Sequence, residues 1–98
     1  MSRIICRDYK DSTICLHLDL PPTVSLVINN LVRQRKAAAS ANDSEFYLST
    51  TVQVGYEEHE LIEGRASYRS GVIEASLSAN GVELISERME FDNQHGLG

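Results

Sequence analysis

The 98-residue chain has no tryptophan, two cysteines, two prolines and no apolar run of membrane-spanning length. No basic start followed by an apolar stretch of signal-peptide length opens it, so the sequence reads as that of a cytoplasmic protein. Reducing compartments rarely keep structural disulfides, and Cys6 and Cys15 are therefore expected as thiols. Catalytic signatures are equally scarce. No serine lies in a Gly-x-Ser-x-Gly elbow, and there is no Gly-x-Gly-x-x-Gly, no other glycine-rich phosphate loop and no paired-histidine metal motif. His59 stands among Glu57, Glu58, Glu60 and Glu63, but at a hairpin tip where alternation scatters these groups and water screens them, so it reads as a solvated turn. His95, near the C-terminal end, reads the same way. Nothing here specifies a cofactor, and the sequence points away from an enzyme.

What is present is alternation. From Glu45 to Phe91 apolar and polar residues exchange places almost without a break, which describes an antiparallel sheet with one buried side. Phe46, Leu48, Thr50, Val52, Val54 and Tyr56 share one face of the first strand in this stretch. Tyr47, Ser49, Thr51 and Gln53 share the other, which either water or a second copy of the chain can cover. Residues 61–68 continue the pattern, with Gly64 as a bulge or a close-packing point. Residues 72–79 and 82–91 form a hairpin around Asn80-Gly81, a strong tight-turn signal. A two-residue loop there sets Glu74 opposite Glu87, a like-charge pair, whereas a three-residue loop with a bulge at Gly81 avoids that. Residues 92–98 read as a frayed tail.

The N-terminal part predicts another hairpin. Residues 4–9 are short and β-branched, and residues 13–20 alternate, with Ile14, Leu16, Leu18 and Leu20 facing one way. Pro21-Pro22 ends the second strand. Val24, Val27, Ile28, Leu31 and Val32 then follow the i, i+3, i+4, i+7, i+8 spacing of an amphipathic helix, expected over about residues 23–38. Arg33, Arg35 and Lys36 would sit at its C-terminal end and complement its dipole. The expected architecture is thus one α+β domain over residues 1–98, in the order ββαββββ. An antiparallel sheet of about six strands carries the helix on one face.

Charge is unevenly placed within the net −5. Residues 1–56 hold six basic and five acidic side chains, and residues 57–98 hold three basic and nine acidic ones. A negative C-terminal half does not suit direct contact with a nucleic-acid backbone, which needs Lys and Arg to displace counterions. Glu74, Glu83, Glu87, Glu90 and Asp92 gather along the last hairpin. They suggest an acidic sheet edge that meets a basic partner protein, such as nucleic-acid-binding machinery, with exposed Tyr and Leu side chains as anchors. Small acidic domains of this kind act as inhibitors or immunity-type factors. A different reading uses the first hairpin. A two-residue turn at Lys10-Asp11 places Cys6 opposite Cys15 and Ile4 opposite His17 on one face, where two thiolates and an imidazole could hold zinc with Asp8 or Asp19. That reading makes the protein a small-molecule or metal-binding domain. Either way no membrane partner is expected, and a homodimer would cover an open sheet face.

Overall fold

The computed structural model describes residues 2–20, 22–38, 43–54 and 58–90, and in these residues every regular element is a strand. The eight strands are β1 (Ser2–Tyr9), β2 (Ser12–Asp19), β3 (Thr23–Ile28), β4 (Leu31–Ala37), β5 (Ser44–Val54), β6 (Glu58–Arg69), β7 (Val72–Ala79) and β8 (Val82–Glu90). They form two four-stranded antiparallel sheets, ordered β1-β2-β3-β4 and β5-β6-β7-β8, so that each strand pairs with its neighbours in sequence. The architecture is all-β, and the expected α+β arrangement with six strands and one helix is wrong.

The error lies in residues 23–38, where a hairpin replaces the helix. Asn29 and Asn30 sit at φ 50° and 69°, the two positive values that define a tight hairpin turn matched to strand twist. Asparagine tolerates that conformation because its short polar side chain bonds locally. Here the Asn29 side-chain oxygen accepts from the Thr13 amide at 2.9 Å, and the Asn29 amide donates to the Thr13 carbonyl at 2.9 Å. Thr23, Val24, Val27, Ile28 and Val32 are β-branched, stiff at χ1 and better suited to a pleated surface than to a helix. Val24, Leu26 and Ile28 point into the core, while Val27 lies on the outer face beside Cys15.

The inner faces of the two sheets close on one apolar core. Ile14, Leu16, Leu18, Val24 and Leu26 meet Leu48, Ile62, Ile73 and Leu77, all completely buried. Each such side chain contributes about 1.5–3 kcal/mol relative to exposure. Tyr68 is buried among them and donates its hydroxyl to the Asp19 carbonyl of the opposite sheet at 3.0 Å. Burial pushes that phenol up to about 12. Gly64 lies in an unbroken register within β6, so it is a close-packing point and not a bulge. Leu16 from the facing sheet occupies the space a Cβ would need.

Bulges mark both places where the sheets meet edge to edge. In β4, Gln34 pairs with Leu26 and Val32 with Val27, leaving Arg33 as the extra residue. In β8, Ile85 pairs with Leu77 and Glu83 with Ser78, leaving Leu84 extra. The bulged Arg33 donates to the Thr51 carbonyl at 2.9 Å, Lys36 to the Tyr47 carbonyl at 2.8 Å, and the Ser49 amide donates to the Gln34 side chain at 2.9 Å. On the opposite flank Arg7 donates to the carbonyl of the bulged Leu84 at 3.3 Å. Edge strands expose unpaired backbone groups, and here side chains occupy several of them. Two of the cations assigned to a helix terminus, Arg33 and Lys36, therefore lace β4 to β5. Arg35 instead donates to the Ser25 hydroxyl at 3.1 Å.

Candidate partner-binding face of the second sheet

Strand pairing carries side chains into rows across the outer face of the β5–β8 sheet. Tyr47, Arg65, Ser76 and Ser86 form one row; Glu45, Ser67, Glu74 and Arg88 form the next. Serines are short and their neighbours long, so hydroxyls floor a shallow, open trough of about 650 Å3. Tyr47 and Arg65 stand on its β5–β6 side, and Glu74 and Glu83 on its β7–β8 side.

The two sides differ electrostatically. Tyr47 donates its hydroxyl to Glu63 Oε2 at 2.5 Å, and that bond, which favours the protonated phenol, holds its titration above the ordinary value of 10.0. Arg65 lies 3.5 Å from the same carboxylate oxygen and 5.0 Å from the centre of the Tyr47 ring. Glu45 is paired with Arg69. On the other side compensation is thin. Glu74 meets Arg88 Nε only at 3.9 Å with both side chains exposed, a contact worth little in water. Glu83, Glu87 and Glu90 have no ion-pair partner among the described residues.

The five acidic residues singled out in the sequence do not form one strip. Glu74, Glu83 and Glu90 lie on the outer face, whereas Glu87 pairs with the buried Ala75 and so projects from the opposite face. The bulge at Leu84 sets Glu74 opposite Arg88 instead of Glu87. The turn at Asn80-Gly81 is a two-residue loop with φ of 50° and 82°, so the like charges are separated by a bulge four residues beyond Asn80 and not at Gly81. Asp92 lies outside the described residues.

The first hairpin has the register expected of it, with Cys6 opposite Cys15 and Ile4 opposite His17. The cysteines are not thiols but a disulfide. With both sulfurs joined, His17 stands beside no thiolate, and no group of three His, Cys, Asp or Glu side chains among the described residues could hold a metal ion.

Two groupings escaped the sequence. One is the Tyr47–Glu63–Arg65 triad, whose members alternation puts on one face but whose proximity needs the strand order. The other involves Glu60, read from sequence as part of a solvated tip. It is only 8% exposed and clasps two turns together. It accepts from Tyr9 at 2.6 Å, from Lys10 at 2.9 Å and from Asn80 Nδ2 at 2.5 Å. The Tyr9 hydroxyl, then Lys10 and Asn80, hold its carboxyl down at about 2. Asn80 also accepts from the Leu61 amide at 2.8 Å. This cluster fastens the β1–β2 turn to the β7–β8 turn.

The charge imbalance becomes sharper once divided by sheet. Residues 2–38 carry six Lys and Arg against three Asp, a balance of +3, and residues 43–90 carry three Arg against ten Asp and Glu, a balance of −7. Among the described residues no helix is long and apolar enough to cross a membrane. The chain matches no known family, no curated protein and no solved structure.

Proposed function

We propose that this protein is a non-catalytic binding domain that receives a basic protein segment on the outer face of its β5–β8 sheet, in the manner of an inhibitor or immunity-type factor. The observation that carries this reading is the thinly compensated negative wall of the trough, Glu74 with only a long exposed contact to Arg88 and Glu83 with no ion pair among the described residues, facing Tyr47 across a floor of serines. Tyr47 is 43% exposed and Leu61 40% exposed on the same face, and they supply the apolar anchors that such contacts need. The face, not the edge, is the docking element, because side chains already lace the edges at both flanks. Carboxylates arranged in this way speed encounter with a cationic partner and repel anionic ones, nucleic acid included. The Cys6–Cys15 disulfide supports an oxidising setting over the cytoplasmic one expected from the sequence, because reducing compartments rarely keep structural disulfides.

The test is titration of the protein with an extended Lys/Arg-rich peptide, with light scattering in parallel. Binding is expected to weaken by roughly tenfold or more between about 0.05 and about 0.5 M salt. Glu74→Lys with Glu83→Lys should abolish it, while Glu87→Lys, on the other face, should leave most of it. Binding indifferent to salt or to the double reversal would overturn the proposal. So would a dimer persisting at both salt concentrations, which would put a second copy on this face.

A further inference from the structure

We propose that the Cys6–Cys15 bond is a thiol–disulfide exchange site, open to dithiol reductants at Cys6, whose reduction releases strand β1 from the first sheet. The bond joins directly opposed residues, with Cα atoms 4.1 Å apart, on the outward face of the first sheet. Residues on that face of β1 are Ser2, Ile4, Cys6 and Asp8, and Cys6 is exposed while Cys15 is half-buried. A thiolate must approach the sulfur it attacks from the side opposite the sulfur that leaves. At Cys6 that side is open to solvent, because Cys6 is exposed on the outward face while the β1–β8 seam is bridged by its neighbour Arg7. At Cys15 it is blocked by the paired Val27, which is buried. The geometry therefore selects Cys6 Sγ as the sulfur attacked and Cys15 as the leaving group.

The exchange balances with a dithiol as reductant. Its thiolate forms a bond to Cys6 Sγ as the Cys6–Cys15 bond breaks, and Cys15 departs as thiolate and takes up a proton. The second thiol of the reductant then attacks its own sulfur in the mixed disulfide, closes a ring and releases Cys6 as a thiol. Two electrons and two protons pass from the dithiol to the protein.

Release of β1 follows from how little else holds it. Of its eight residues only Ile5 is buried, and Tyr9 is partly so. Its inner flank rests on the ladder with β2, helped by side-chain bonds from Ser2 to Asp19 and from Thr13 to Asp8, and among the described residues its outer flank is tied by the bond from Arg7 to Leu84. Tyr9 and Lys10 are secured at the turn by Glu60, so the loosened part is the stretch from Ser2 to Asp8. Without it, the outer ladder of β2 is bared beside Ile14 and Leu16.

The experiment treats the folded protein with glutathione, maps the mixed disulfide by mass spectrometry, then reduces the protein with dithiothreitol and follows amide hydrogen exchange. The adduct is expected on Cys6. On reduction, amides of β1 should exchange roughly 10- to 100-fold faster, the scale set by closing a short loop, while β5–β8 keep their protection. A Cys6→Ser, Cys15→Ser variant should reproduce the loosened β1 without any reductant. An adduct on Cys15, a bond that withstands dithiothreitol in the folded protein, or β1 exchange unchanged by reduction would overturn the proposal. Loss of protection across both sheets would overturn it too, since the release would then be global unfolding.

Discussion

Gly64→Ala tests the packing of the two sheets at one point. The added methyl would lie 2.8 Å from Leu16 Cδ1 and 3.6 Å from Leu77 Cδ2, both in completely buried side chains. Leu16 is completely buried in a close-packed core, so its methyl must shift against its neighbours, and overpacking of this kind costs about 1–3 kcal/mol. The backbone at Gly64 is not left-handed, so alanine is sterically allowed there and lowers the entropy of the unfolded chain, worth about 0.4–1 kcal/mol in its favour. The net effect is a loss of roughly 1–2 kcal/mol, or a fall in Tm of about 4–15 °C for a chain of this length. Leu16→Ala alone should cost about 2–5 kcal/mol through its cavity. In that background the obstacle is gone, and the methyl at position 64 fills part of the cavity, adding about 0.8 kcal/mol to the entropic gain. Gly64→Ala should then stabilise by roughly 1–2 kcal/mol. Urea unfolding of the four proteins measures this, provided the m-value stays constant. The reasoning fails if Gly64→Ala has the same sign and size in both backgrounds, within the ~0.5 kcal/mol expected of independent sites.

Two further outcomes follow from turns and clasps. Asn30→Gly should raise stability by about 0.5 kcal/mol, because glycine adopts the φ of 69° there without a steric penalty; in a helix over the same residues it would lose about as much, so the sign seen in thermal melts separates the two folds. Glu60 has its carboxyl lowered from 4.5 to about 2 in the folded chain, so its contribution is complete above pH 4.5 and is lost as pH falls toward 2. Glu60→Gln should lower Tm at pH 7 and flatten the acid limb of a Tm-against-pH curve; an unchanged acid limb would show that the clasp does not hold the turns.

Legibility varied along the chain for identifiable reasons. The β5–β8 sheet was readable because period two runs almost unbroken from Phe46 and the Asn80-Gly81 turn has a distinctive chemistry. The register of β1 against β2 was readable too, from the two-residue turn at Lys10-Asp11. The segment 23–38 was misread because Val24, Val27, Ile28, Leu31 and Val32 fall at helical intervals by coincidence. That stripe left out Leu26, which is completely buried, and it passed over Asn29-Asn30 as a turn. The bulge at Arg33 also removes alternation from β4, so nothing after the turn announced a strand. At the candidate face the residue types were visible but the neighbours were not: one extra residue, Leu84, exchanges Glu87 for Arg88 opposite Glu74, and Tyr47 meets Arg65 only when β5 and β6 pair. The disulfide is not legible from residue types alone: the β1–β2 register opposes Cys6 to Cys15, but whether the pair is bonded depends on a compartment that the sequence does not specify.

The division of charge between the sheets has a consequence for how the chain comes together. Each sheet is a meander of local hairpins that can form early, but neither can cover its inner face without the other. The docking step joins a segment of charge +3 to one of −7, and opposite charges draw the halves toward each other before any side chain interlocks. Salt shortens the reach of that attraction to about 10 Å at 0.1 M. Refolding should therefore slow as salt is added while the equilibrium stability of the packed core changes far less, which makes collapse in this protein partly an electrostatic event.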